Sequence, residues 1–180
     1  VMNWMAIDSS ASVFFKDANK LKSLELFREA IDALNSSWHY ALKNHDSIKS
    51  QLSQKQTGYL KQMNSVWAQQ LFPAIEQALN AGARAEARQN CMIATIAAYR
   101  YRLQHGKLPT SLADLKDFIP GDEATKNQRL TDPFDGQPLR YKSDSGNVVI
   151  YSISENRLDD GGVISTEKPQ EDDLGYSIQQ

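Results

Sequence analysis

Along the first hundred residues apolar positions recur at three- and four-residue steps, and after Pro120 they alternate. Leu26, Phe27, Ala30, Ile31, Leu34 and Trp38 form one stripe on a helix predicted from a Ser23 cap through Asn44. Asp46 is placed to cap a second helix, whose apolar side runs from Ile48 through Leu60, Met63 and Trp67 to Leu71. Gly58 weakens that helix by about 1 kcal/mol relative to alanine. Pro73 suits the first turn of a third helix, where its missing N–H has no partner to lose. On that segment Met92, Ile96, Tyr99 and Leu103 share a face. Gly82 leaves open whether it is one helix or two. Gly106 offers a left-handed stop, with Pro109 three residues on. Ser111–Phe118 reads as a short helix in which Asp114 answers a cap at Ser111 or Thr110.

Beyond Pro120 the period shortens. Leu139 and Tyr141, then Val148, Ile150 and Ser152, alternate as two half-buried strands, with Ser145-Gly146-Asn147 as the hairpin connection. Five of the six prolines and seven of the nine glycines follow residue 100, so the chain is helical first and turn-rich afterwards. The expected fold class is α+β. A helical N-terminal region and a long helix pack on a small antiparallel sheet.

Charge sharpens that division. The net charge of −2 splits into +4 over residues 1–120 (14 Lys/Arg against 10 Asp/Glu) and −6 over residues 121–180 (6 against 12). The basic half is diluted by acids, which argues against nucleic acid as a partner. The single cysteine, Cys91, excludes an internal disulfide and a cysteine-rich zinc site. It lies among apolar residues as an inert, buried thiol would. Its apolar run, Cys91 to Ala98, falls far short of the ~20 residues that span a bilayer. The start at Val1 leads to the expectation of a fragment or processed chain, with any signal or anchor upstream.

No catalytic motif stands out. The three histidines, His39, His45 and His105, have no metal-ligand spacing, and no serine occupies a nucleophile elbow. A hydrolase built from Asp132 or Asp159 with His105 is the weakest of the readings. Asp132-Pro133-Phe134-Asp135-Gly136 reads as a structural turn. Trp38, Tyr40 and Trp67 are expected to pack between helices, the alternative being an exposed surface for a peptide or small ligand. The acidic stretch is the best chemical candidate: Glu155, Asn156, Asp159, Asp160, Asp172 and Asp173 supply oxygen donors around Gly161-Gly162. Such oxygens suit calcium, but the spacing is not that of an EF-hand. On residues alone, a solvated acidic loop outweighs a cation site.

The order of these features resembles the globular domain of type II secretion major pseudopilins and related type IV pilin-like proteins. The resemblance runs from about Ala83 to the C-terminus, dividing the chain into a helical region 1–82 and a pseudopilin-like domain 83–180. Tyr101-Arg102-Leu103-Gln104-His105-Gly106-Lys107-Leu108-Pro109 is similar to the family's helix end. Thr131-Asp132-Pro133-Phe134 and Gly136-Gln137-Pro138-Leu139-Arg140-Tyr141 match its turn and following strand. Tyr151-Ser152-Ile153-Ser154, Gly161-Gly162 and Asp172-Asp173-Leu174 echo its loop and closing acidic pair.

The resemblance implies a non-enzymatic structural or interaction domain, extracytoplasmic, assembling with other envelope proteins or with itself. It also implies a calcium loop. There Ile153 and Leu158 would give carbonyls, Asn156 would stand at an aspartate position, Asp172 and Asp173 would close the site, and Asp159 or Asp160 would compensate for Asn156. The loop is one residue longer than the family's, from Ser154 to Gly162. The family's apolar N-terminal stem is absent, so a membrane would be reached only through an anchor not in this chain. Residues before Ala83 have no counterpart in ordinary pseudopilins, as if the domain had been reused or an anchor trimmed. The competing reading is a soluble helical ligand- or peptide-binding module with a pilin-like cap.

Overall fold

The computed structural model describes residues 37–54, 69–144, 146–164 and 172–179. The Ser23 cap, the stripe from Leu26 to Leu34, and the positions from Gly58 through Trp67 lie outside them. So does Ser145. The chain divides into two compact units, Val1–Ala78 and Leu79–Gln180.

In the first unit, helix α1 spans Trp38–Gln54. Ala41, Leu42, His45 and Ile48 are its buried side, a single face at helical spacing. The helix runs through Asp46, so the expected break there does not occur. Apolar burial on both sides of Asp46 keeps one continuous face. Lys49 Nζ pairs with Glu76 Oε2 at 2.8 Å. Tyr40 is 53% exposed, which corrects its expected core position; it sits on the side of α1 opposite Leu42 and His45.

Helix α2, Gln69–His105, is continuous through Gly82 and begins four residues before Pro73. From Ala83 on, its buried side is lined chiefly by small residues, Ala83, Ala87, Cys91, Ala94 and Ala98, at steps of four, four, three and four. Small side chains bring the helix backbone close to what it covers. Gly106 ends the helix at φ +68°, its N–H donating to the Arg102 carbonyl at 2.8 Å. A 3-10 turn, Leu112–Phe118, follows, buried through Leu115. Asp114 accepts from the Thr110 and Ser111 amides at 2.8 and 3.1 Å, so the expected cap is present. Helix α3, Glu123–Arg129, was not anticipated; Asp122 caps it, accepting from the Thr125 amide at 2.9 Å.

Helices pack on a three-stranded antiparallel sheet ordered β1-β2-β3, with β1 Arg140–Asp144, β2 Asn147–Ser152 and β3 Leu174–Gln179. The α+β class is therefore observed, with one strand more than the two expected. Central strand β2 sets the core. Val148 lies opposite Ile178, Ile150 opposite Tyr176 and Ser152 opposite Leu174, and most of this face is buried. Cys91 Sγ lies 3.5 Å from the Leu174 carbonyl, and Arg102 Nη1 donates to the Gln179 carbonyl at 2.8 Å. These contacts fix α2 over β3. On the reverse face Gly175 lies opposite Tyr151, where a Cβ would stand 2.3 Å from the Ile150 carbonyl oxygen. Only glycine fits that approach.

Candidate functional site

The turn after α3 builds the first element of the site. Asp132 N donates to the Gln137 carbonyl at 2.7 Å, and Gly136 N to the Asp132 carbonyl at 2.9 Å, closing the turn on itself. The Asp132 side chain points inward and is 0% exposed. Its Oδ1 accepts from Phe134 N at 3.0 Å and Ser152 Oγ at 2.8 Å. Its Oδ2 accepts from Ile153 N at 2.9 Å and from Arg140 Nη1 at 3.4 Å. Arg140 also grips Asp135, Nη2 to Oδ2 at 2.6 Å. One carboxylate thus joins the turn, the end of β2 and the start of β1. Burial raises its pKa, against the pull of the Phe134 and Ile153 amides and the Ser152 hydroxyl. Burial, together with the negative charge of Asp132, also pushes the Cys91 thiol well up, so this sulfur stays a thiol.

Ile153 leads from that hub into the acidic loop. Ser154 and Arg157 adopt positive φ, 57° and 55°, so the chain turns sharply at two non-glycine positions. Arg84 Nε on α2 pairs with Glu155 Oε1 at 2.7 Å. Asn156 Nδ2 donates to Asp160 Oδ2 at 2.9 Å, while Asn156 Oδ1 accepts from Leu158 N at 3.0 Å. Asp159 Oδ1 accepts from the Tyr151 hydroxyl at 3.0 Å and from Gly161 N at 2.9 Å. Tyr151 is in consequence pushed up to about 12, by burial first and then by Asp159. Lys142 Nζ donates to the Gly161 carbonyl at 2.8 Å. At Gly162 a Cβ would meet the Tyr151 ring at 3.1 Å, so the loop lies flat against that ring.

Asp173 closes the loop from the strand side. It is 1% exposed, and its Oδ2 accepts from Gly162 N at 2.8 Å. Its Oδ1 is buried without a hydrogen-bond partner. Desolvation raises its pKa; the Gly162 and Asp160 amides oppose the rise, and the charges of Asp159 and Asp160 add to it. A backbone bridge between Ile164 and Asp173 holds the two segments side by side.

The positions expected to form a calcium loop are therefore gathered in part. Asp159, Asp160 and Asp173 share one electrostatic neighbourhood, and Asn156 is bonded to Asp160. Ile153 is buried, whereas the Leu158 side chain is 63% exposed. Asp172 is half-buried beside Asp173. Among the described residues no group of three or more His, Cys, Asp or Glu side chains is placed to hold a metal ion. The donor chemistry is nonetheless all hard oxygen, and the orphaned Asp173 Oδ1 is the kind of atom a cation satisfies. The fit rests on Asp173. His105 lies elsewhere, its ring stacked on Tyr101 at 4.2 Å and edge-on to Phe118.

Sequence reasoning missed the long-range role of Asp132, because its partners Ser152 and Ile153 lie twenty residues on. No protein-family model, curated protein or solved structure matches the chain. Among the described residues no helix is long and apolar enough to cross a membrane.

Proposed function

We propose that the C-terminal unit is a pseudopilin-like, non-enzymatic structural and interaction module that works outside the cytoplasm, with loop 153–162 ordered by calcium. The observation that carries this reading is the Asp173 carboxylate, buried at the loop's closure with one oxygen unpartnered and two further carboxylates in its field. A buried, unpaired anionic oxygen is costly to keep unless something satisfies it. Asp173, Asp159 and Asp160, with loop carbonyls including those of Ile153 and Leu158, would hold the ion, with Asn156 and Asp172 beside them. When bound, calcium supplies positive charge that offsets carboxylate repulsion. The protein's own parts do the rest. Arg84 anchors the loop's start through Glu155, Tyr151 orients Asp159, and Gly162 seats the return against β2. The result is a shaped contact surface for other envelope proteins or further copies.

Thermal unfolding of EDTA-stripped protein tests this. Calcium at about 100 times its Kd is expected to stabilise by roughly 2.7 kcal/mol, raising Tm by several degrees. Asp173→Asn is expected to abolish the response. A wild-type Tm indifferent to calcium would sink the calcium-ordered loop.

A further inference from the structure

Helix α2 carries two opposed apolar faces, one buried and one exposed. The small-residue face of Ala87, Cys91, Ala94 and Ala98 is fully buried. On the opposite side Met92, Ile96, Tyr99 and Leu103 stand 48, 52, 40 and 82% exposed. Their four-three-four spacing is that of the a and d positions of a coiled-coil seam, here about 16 Å long. Scattered apolar residues need no explanation, but a register of four large ones on one line does.

The flanks of this seam are positive. With Ile96 and Leu103 at a and Met92 and Tyr99 at d, Arg88 and Arg102 fall at g and Arg100 at e. From Arg88 to Lys107 the sequence contains four Lys/Arg and no Asp or Glu. Arg102 is fixed at the edge of the seam, its guanidinium 5.1 Å from the Tyr99 ring centroid. Arg100 is held by the Phe118 carbonyl at 3.1 Å. The charges at e and g choose a coiled-coil partner and its orientation. A second copy is disfavoured on this ground. A second copy would bring the same positive flank, Arg88, Arg100 and Arg102, with no Asp or Glu between Arg88 and Lys107 to answer it.

We infer that the outer face of α2 docks an amphipathic helix of another protein, with apolar a and d residues and glutamate or aspartate at e and g. This inference deepens the interaction-module reading, on which it rests, and is independent of the calcium loop.

The test uses the full chain in EDTA and a labelled synthetic peptide of about three heptads with Leu at a and d and Glu at e and g. Fluorescence anisotropy is expected to show binding of this peptide, and none of its counterpart with Lys at e and g. Ile96→Asp and Leu103→Asp are each expected to weaken binding by about tenfold or more. Leu103→Ser is the milder variant should the aspartates perturb folding, which circular dichroism would show. Arg88→Glu combined with Arg100→Glu is expected to reverse the peptide preference. Equal binding of both peptides, or of neither, overturns the inference. So does a dimer in sedimentation that Leu103→Asp dissociates, or capture by anionic phosphatidylserine vesicles lost in the same variants. Failure here with the calcium stabilisation intact removes the acidic-helix partner alone. Absence of both removes the module reading as well.

Discussion

Replacing Asp132 with alanine should unfold the junction between the turn and the sheet. The side chain is 0% exposed, so its bonds have no water to fall back on. Its removal strands the Phe134 and Ile153 amides and the Ser152 hydroxyl. It also strands the inner edge of Arg140. An unsatisfied buried donor costs about 1–3 kcal/mol. Relaxation and water entry keep three such losses from adding in full, and removing one partner of a buried charged pair costs about 3–5 kcal/mol. For a unit of roughly a hundred residues that lowers Tm by about 15–30 °C.

The control is Asp132→Asn. The amide oxygen can still accept from Phe134 and Ser152, but its NH2 faces the Ile153 N–H, so about 2 kcal/mol is expected to be lost. Guanidinium unfolding reads both, as a fall in midpoint at constant slope. A cost for Asp132→Ala below about 1 kcal/mol, or equal costs for both variants, would refute the hub.

Three further outcomes follow from the same geometry. Gly175→Ala is expected to cost about 1–3 kcal/mol in the same unfolding assay, because its Cβ would enter the space of the Ile150 carbonyl; a neutral result would contradict the close approach. Asp173→Asn is expected to raise Tm at neutral pH in EDTA, since it removes a desolvated charge repelled by Asp159 and Asp160 while an amide oxygen can still accept from Gly162. For pH, the folded pKa of Asp173 lies above its ordinary 3.8. Its stabilising contribution is thus fully present below that value and is lost as pH rises through the folded pKa. Calorimetric Tm against pH, wild type minus Asp173→Asn, should show that fall above pH 3.8 and be flat if Asp173 is not responsible.

Periodicity revealed the outer stripe of the long helix, but with Gly82 in the segment it could not say that the helix is continuous, nor which face is covered. Met92, Ile96, Tyr99 and Leu103 carry the larger apolar side chains, yet the alanine face packs inward because small residues allow a closer approach to the sheet. The helix Glu123–Arg129 has no apolar stripe at all, so periodicity passed over it, and the Asp122 cap is the one local signal it carries. Strand β3 was missed: Gly175 interrupts the alternation of Leu174, Tyr176 and Ile178, and the pairing with β2 that calls for a glycine there is long-range. The candidate loop was visible as an acidic cluster. That Asp173 is the buried member depends on β3 pairing with β2 across more than twenty residues, and that Asp159 is held by Tyr151 depends on how the loop folds back on β2. Local spacing carries no record of that. The helix stop at Gly106 and the cap at Asp114 are local, and both were readable.

The most direct measurement is a calorimetric titration of the EDTA-stripped full chain with calcium, with magnesium and Asp173→Asn as controls. One calcium per chain, no comparable magnesium isotherm and loss of binding in Asp173→Asn is the expected result. No calcium binding, or binding unchanged by Asp173→Asn, would contradict the account, because the buried Asp173 oxygen would then have some other reason to stand unpartnered.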